Sequence, residues 1–138
     1  MSAKERTKGR AAEAEVRRIY EAHGFTVRGL EGGGDHVCIR PGLVIHSEVK
    51  RHETLRLPLW ARQALRDAAP GAVPVVAFRR NREPWQALLS ERDLVTLPIL
   101  SDWGAPVVSG LDYVLQSVDG AWWARLPLAH LLGHLGRD

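Results

Sequence analysis

The sequence of 138 residues is 45% hydrophobic and 25% charged, which predicts one globular domain and excludes wholesale disorder. Its formal net charge of +3 is a mild basic excess that allows a nucleic-acid partner without demanding one. A single cysteine excludes an internal disulfide and a zinc site made only of this chain's thiolates, and no apolar run approaches the roughly 20 residues of a transmembrane helix.

The first third of the chain predicts a basic arm, one helix and three strands. Residues 1–7 are polar and basic and are expected to form a flexible arm. Apolar residues then recur at three- and four-residue spacing over 8–23, which predicts an amphipathic helix that Gly24 ends. The strands and their connections are predicted at 25–27, 35–39 and 43–50, with a glycine-rich loop at 29–34 and a turn at Pro41-Gly42.

The middle of the chain predicts a second helix and a strand pair. Pro58 is well placed to begin the helix, which is expected to end near Pro70, and strands follow at 73–78 and 85–89. The buried face of this helix is predicted to consist of Trp60, Ala61, Ala64, Leu65 and Ala68.

The C-terminal segment, residues 90–138, is expected to extend the same domain, which would then span 1–138. Ser90 is predicted to cap a short helix and Pro127 to open a last helix. Between them, strands at 113–115 and 120–123 are predicted to form a small hairpin around Asp119-Gly120. Taken in order, these elements predict an α/β fold in which helices flank a mixed β-sheet.

Three charged residues, Asp35, Glu48 and Lys50, are predicted to gather beside this sheet. Side chains alternate between the faces of a strand, so Glu48 and Lys50 project from one side, with His46 behind them. The 13-residue separation of Asp35 and Glu48 allows them to lie on neighbouring antiparallel strands. Such a cluster is costly to desolvate unless a ligand uses it. It favours a metal-dependent nuclease over a surface ion pair.

Each residue of the cluster has a predicted role in that chemistry. Asp35, Glu48 and the backbone carbonyl of Val49 would hold Mg²⁺, which prefers oxygen ligands. Lys50 would orient the attacking water or stabilise charge that develops on the phosphate.

Two further side chains near the cluster allow a functional and a structural interpretation. Glu13 lies at the border of the apolar face of the first helix, where it can reach the site directly or through a water, or pair with Arg17 at i+4. His46 shares the face of Glu48 and is interpreted as a packed histidine rather than a metal ligand.

Motifs spread over residues 8–89 resemble the archaeal-type Holliday junction resolvases, and their phage-encoded versions most closely. The motifs are Lys8-Gly9-Arg10-Ala11-Ala12-Glu13-Ala14-Glu15-Val16, Gly24-Phe25-Thr26-Val27, Gly34-Asp35, Glu48-Val49-Lys50, Trp60-Ala61-Arg62-Gln63-Ala64, and the run from Pro74 to Trp85. The family belongs to the PD-(D/E)xK nuclease superfamily, with a restriction-endonuclease-like fold. Two departures are Gly34, where the superfamily motif names proline, and the segment after Leu89, which has no evident counterpart.

The resemblance implies a homodimer that cuts four-way DNA junctions with Mg²⁺ or Mn²⁺ and leaves 5′-phosphate and 3′-hydroxyl ends. The catalytic residues of the family fall on Glu13, Asp35, Glu48 and Lys50. The implied setting is the cytoplasm of a prokaryote or of a phage-infected host, with no membrane partner. Recombination, repair and the debranching of phage DNA would all use such a site.

Basic and polar residues on several predicted elements are candidates for contacts to DNA phosphates. They are Lys4, Lys8, Arg10, Arg51, Arg56, Arg62, Gln63, Arg79, Arg80 and Arg82. Three tryptophans of the C-terminal segment, Trp103, Trp122 and Trp123, can stack on bases, although a place in a core or a dimer interface is favoured. The leucine-rich face of the last helix (Leu128, Leu131, Leu132 and Leu135) is a candidate dimer surface.

Two other functions are compatible with the same residues. One is a nuclease of the same superfamily with another DNA target, such as a flap, a duplex, or a restriction or repair substrate. The other is a dimer that binds branched DNA without cutting it, although a protein of that kind has no use for the costly carboxylate cluster.

Overall fold

One mixed β-sheet forms the centre of the computed structural model, which describes residues 3–29, 35–97 and 113–135, with side chains from Gly9 onward. Within these residues the sheet has seven strands and is flanked by four helices. The helices are α1 (Ala3–Ala22), α2 (Leu57–Asp67), α3 (Glu91–Thr96) and α4 (Leu128–His134). The strands are β1 (Thr26–Gly29), β2 (Asp35–Arg40), β3 (Leu43–Arg51), β4 (Val73–Arg79), β5 (Gln86–Ser90), β6 (Val114–Val118) and β7 (Ala121–Pro127).

The strands lie side by side in the order β1-β2-β3-β4-β5-β7-β6. β3 and β4 are parallel, and every other neighbouring pair in this sheet is antiparallel. A parallel pair needs a crossover connection, and α2 supplies it between β3 and β4. The predicted α/β fold with a mixed sheet and flanking helices is therefore confirmed.

The two faces of the sheet bury separate apolar clusters because strand side chains alternate. In β4, Val75 and Ala77 pack on the side that carries α1 and α4. Val76 and Phe78 pack on the other side, beneath α2. A side chain on β2 or β3 therefore faces either α1 or α2, and this choice positions the candidate site.

The helices begin and end close to the predicted positions, with two corrections. α1 begins at Ala3, so residues 3–7 are helical rather than a loose arm; this stretch is rich in Lys, Glu and Arg and contains no helix-breaking residue. Leu65, predicted to lie on the buried face of α2, is 55% exposed because α2 packs through Leu57, Trp60, Ala61 and Ala64. Among the described helices none is long and apolar enough to cross a membrane.

The C-terminal segment takes part in the same sheet. The hairpin predicted at Asp119-Gly120 is present, and both residues have positive φ, as a tight two-residue turn requires. β7 is longer than predicted, however, and pairs with β5 through Gln86–Ser90, so the hairpin joins the main sheet. Ser90 caps α3 as predicted: its Oγ accepts a hydrogen bond of 3.1 Å from the backbone N–H of Asp93.

The leucines of α4 are buried within the chain itself. Leu128, Leu131, Leu132 and Leu135 all belong to the cluster on the α1 side of the sheet. The leucine face of α4 is therefore covered by the chain's own core, so these leucines do not form the predicted dimer surface; that α4 takes part in a dimer through its other residues stays a prediction. Its apolar pattern predicted burial correctly but carried no information on whether the covering surface came from the same chain.

Candidate active site

Asp35 and Glu48 lie directly opposite each other on neighbouring strands. Asp35 is the first residue of β2 and is the cross-strand partner of Glu48 in β3. The strands are antiparallel and joined at Pro41-Gly42, as the sequence predicts. Directly opposed residues bring their β-carbons to about 4.5–5.5 Å, so the two carboxylates share one small region at the end of β2. They project on the α2 side of the sheet, because the partner of Glu48 in β4 is Val76.

The carboxyl group of Glu48 is buried and only partly satisfied. Glu48 is 6% exposed, and burial raises the pKa of its carboxyl; the charge of Asp35 raises this pKa further, and Lys50 opposes both. Lys50 Nζ lies 3.6 Å from Oε1 of Glu48. Oε2 is buried and has no hydrogen-bond partner in the described part of the chain. An oxygen in this state is destabilising unless a hydrogen-bond donor, a water or a cation reaches it.

His46 completes a compact group with these carboxylates. Its Nε2 lies 3.1 Å from Oδ2 of Asp35, and one ligand atom from each of Asp35, His46 and Glu48 falls within 4.8 Å of the others. The interpretation of His46 as a packed histidine is correct as to burial, since it is 2% exposed. Sequence reasoning missed its bond to Asp35, although its position two residues before Glu48 on the same strand face was the available signal.

The donor set of this group fits a hard divalent cation. Two carboxylates supply the oxygen ligands that Mg²⁺ and Mn²⁺ prefer. The unpartnered Oε2 of Glu48 is the strongest indication of a cation site, because a coordinated cation stabilises a buried carboxylate oxygen. Val49, whose carbonyl is the third predicted ligand, lies between Glu48 and Lys50 in β3.

Glu13 is carried by the opposite layer of the molecule. It is half-buried on α1, which packs against the sheet face that contains Cys38 and Ile45. Burial lowers the pKa of His36, and the charge of Glu13 opposes this change, so Glu13 lies near His36, the residue next to Asp35 in β2. The structure therefore brings Glu13 to the same end of the sheet, but Glu13 is not a member of the group formed by Asp35, His46 and Glu48.

A groove beside Lys50 connects the group to α2. It is lined by residues of the β3–α2 connection and of α2 itself, including Arg56, Trp60 and Gln63. Arg56 is exposed and precedes the first residue of α2. Gln63 is half-buried, and its Oε1 is buried without a partner in the described residues. Both candidate DNA contacts therefore lie in the groove that leads to Lys50.

The other predicted DNA contacts are distributed over several surfaces. Arg10, Arg80 and Arg82 are exposed, Arg51 donates to Asn81, and Arg62 pairs with Asp119 on the hairpin. The side chains of Lys4 and Lys8 lie outside the described part of the structure. Arg79 is half-buried and paired within the protein: its guanidinium lies 3.1 Å from a carboxylate oxygen of Glu15 and 5.2 Å from the ring centre of Trp85.

Of the three tryptophans considered for base stacking, two can be placed. Trp123 is buried beneath α2, as the preference for a core position predicted, whereas Trp122 is exposed. Trp103 lies outside the described residues. Of the two tryptophans that the structure describes here, Trp122 is therefore the one whose ring a ligand can reach.

No protein-family model matches the chain, and no curated protein matches it either. Among solved structures, the chain is similar to Hjc, a Holliday junction resolvase of the archaeal hyperthermophile Archaeoglobus fulgidus. The similarity covers 94% of this chain and 99% of that chain, with a TM-score of 0.58 and 17% sequence identity. The chain therefore has the fold of this archaeal Holliday junction resolvase.

Proposed function

We propose that the protein is a metal-dependent endonuclease that resolves four-way DNA junctions by hydrolysing phosphodiester bonds. The observation that carries the proposal is the opposed pair Asp35 and Glu48, with a buried, unpartnered carboxylate oxygen next to Lys50. This arrangement suits a cation and a phosphate, and it occurs on the fold of a protein that resolves Holliday junctions.

In the proposed reaction the cation would be held by Asp35, Glu48 and the carbonyl of Val49. A bound Mg²⁺ or Mn²⁺ would polarise the scissile phosphate and lower the pKa of a water molecule. Lys50 donates hydrogen bonds from Nζ to the attacking water or to the phosphate oxygens, where negative charge develops. Glu13 completes the site from α1, directly or through a water.

The groove beside Lys50 is the proposed path of the DNA strand to the cation. Arg56 supplies charge for a phosphate and Gln63 an amide for the nucleotide at the site. The exposed arginines Arg10, Arg80 and Arg82 extend the basic surface. We propose a homodimer, because two-fold symmetry places two such sites against the two-fold symmetry of a junction and leads to paired cuts.

The experiment is cleavage of a labelled four-way junction beside a linear duplex of the same arms. We expect paired, junction-selective cuts with Mg²⁺ or Mn²⁺ and none with EDTA. Asp35→Asn should lower the rate by at least about 100-fold, because the variant loses a charged ligand where transition-state charge is stabilised. Asp93→Asn is the matched control, since Asp93 lies on α3, which packs against β5 and β7.

The other outcomes select between the alternatives. Equal cutting of junction and duplex would keep the metal-dependent nuclease and reject the preference for junctions. Tight junction binding with no cutting under either metal would reject the nuclease and support a protein that only binds branched DNA. Cleavage that persists in EDTA would reject the proposed metal site.

A further inference from the structure

We infer that His46 is a positioning residue for Asp35: its Nε2–H donates to the carboxylate and leaves the cation to oxygen ligands. The inference rests on the proposed metal site and deepens it, since it assigns one of three side chains in the group a role other than coordination.

Nδ1 of His46 is occupied by a backbone donor. The amide N–H of Ala69 points at Nδ1 with an N–N distance of 3.2 Å. A backbone amide can only donate, so Nδ1 must present a lone pair and carries no proton. In an imidazole the remaining proton then sits on Nε2, which fixes the neutral Nε2–H tautomer.

This tautomer determines what His46 does at the site. Nε2 lies 3.1 Å from Oδ2 of Asp35, so its proton makes a hydrogen bond to the carboxylate. Because His46 is 2% exposed and bonded at both nitrogens, the ring has no freedom to rotate away. Oδ2 is thereby held by His46, and Oδ1 would remain free to bind the proposed cation.

Coordination of a metal by His46 would require the other tautomer of its imidazole ring. A metal bound at Nε2 leaves the neutral imidazole with its proton on Nδ1. That proton would then face the N–H of Ala69, and two donors would meet at 3.2 Å. The geometry therefore predicts an oxygen-only site, which favours Mg²⁺ and Mn²⁺ over Zn²⁺.

The contact also connects the site to the crossover helix. Ala69 follows Ala68, the C-cap residue of α2, while His46 lies in β3 before the helix. The end of α2 thus determines the orientation of a side chain that in turn holds the proposed metal ligand.

The direct test reads the tautomer in the wild-type protein. Two-bond ¹H–¹⁵N correlation spectra of the ¹⁵N-labelled, metal-free protein report which ring nitrogen is protonated, and the absence of one signal set in His46→Gln assigns the residue. We expect Nδ1 to be unprotonated and Nε2 to be protonated. With Mn²⁺ added, electron spin echo spectra should show no directly bound ¹⁵N. Protonated Nδ1, or a bound nitrogen that disappears in His46→Gln, would overturn the inference.

Two variants of similar size separate the two ends of the ring. In His46→Gln the amide nitrogen takes the place of Nε2 and keeps the donor to Asp35. In His46→Asn the amide oxygen takes the place of Nδ1 and keeps the bond to Ala69, but the donor to Asp35 is lost. We expect Mn²⁺ affinity to fall by about tenfold in His46→Asn and to stay within about threefold of wild type in His46→Gln.

Thermal unfolding in EDTA shows whether either variant is merely misfolded. A purely structural histidine would lower Mn²⁺ affinity only in step with stability, whereas a positioning role lowers it in His46→Asn at little cost to the melting temperature. Equal Mn²⁺ affinity in the two variants would reject the role. None of these readouts uses DNA. If the protein cut no junction, the proposed function would be rejected, but the result on His46 would still hold.

Discussion

At the scale of single residues, Glu48 illustrates the cost in folding stability of the candidate site. Its carboxyl group is buried beside Asp35, and Oε2 has no partner in the described residues. A structural role would be served as well by an amide, which is uncharged. The site is therefore expected to be destabilising without its cation and stabilising with it.

The variant Glu48→Gln tests this cost through its dependence on pH. The pKa of Glu48 is raised in the folded state, so the folded protein binds this proton more tightly than the unfolded chain does. The resulting contribution to folding stability is complete below the pKa of the unfolded chain. It is lost as the pH rises through the pKa of the folded protein. In EDTA we expect Glu48→Gln to melt about 2–5 °C above wild type at pH 8. The difference should disappear as the pH falls toward 4.

Thermal melts between pH 4 and pH 8, with and without Mg²⁺, check this expectation. Mg²⁺ should raise the melting temperature of wild type and have a much smaller effect on Glu48→Gln. Glu83→Gln, at an exposed position in the β4–β5 turn, is the control and should follow wild type throughout. A Glu48→Gln protein that melts below wild type at pH 8 would show that the carboxylate stabilises the fold.

Sequence patterns predicted which charged residues lie together at the candidate site, but not the long-range contacts that hold the surrounding side chains. Asp35, Glu48 and Lys50 follow from strand alternation and one turn, which are local features. The bond from Ala69 to His46 joins residues 23 positions apart, and Glu15 lies 64 positions from its partner Arg79. No local pattern identifies such contacts, because they depend on how α1 and α2 are placed on the sheet.

At the scale of elements, two glycines, one within α1 and one just after it, have opposite conformational requirements. Gly9 lies within the helix, and a methyl group added there meets no atom within 4 Å. Gly24 follows the helix with φ of 84°, a left-handed conformation that L-residues rarely adopt. An added methyl group meets no atom within 4 Å there either, so the two positions differ in backbone conformation and not in steric contact.

Alanine at the two positions should therefore have opposite effects on stability. Gly9→Ala is expected to increase the free energy of unfolding by roughly 0.5–1 kcal/mol, because alanine restricts the unfolded chain and suits a helix. Gly24→Ala is expected to decrease it by roughly 1–2 kcal/mol, the cost of a left-handed conformation. Urea unfolding followed by circular dichroism measures both. The same sign for both variants would contradict the helix end at Ala22.

The sequence predicted the type of each described helix and strand, and missed mainly boundaries and one pairing. α1 starts five residues before the predicted Lys8, because basic and acidic residues continue a helix as readily as they form an arm. β7 was predicted to end at Trp123, as one strand of a small hairpin, but it continues to Pro127. Its partner β5 is more than 30 residues away, and periodicity does not identify partners at that distance.

At the scale of the whole molecule, the apolar cluster on the α1 side joins both ends of the described chain. Val16 and Tyr20 of α1 belong to the same cluster as Leu131 and Leu132 of α4. The strands between them carry the carboxylate group on the opposite face. The C-terminal segment is therefore expected to stabilise the site at a distance, by completing the core on which β2 and β3 rest.

Leucine-to-alanine substitutions at a buried and an exposed position test this view of the C-terminal helix. Leu131 is fully buried, so Leu131→Ala should cost about 2–5 kcal/mol of unfolding free energy, while Leu65→Ala, at 55% exposure, should change it by less than about 0.5 kcal/mol. Urea unfolding followed by both tryptophan fluorescence and circular dichroism should give coincident transitions, as one domain requires. Sedimentation equilibrium should give the same assembly mass for both variants as for wild type. If Leu131→Ala instead kept its stability and halved the assembly mass, the leucines of α4 would face a second subunit rather than the core of their own chain.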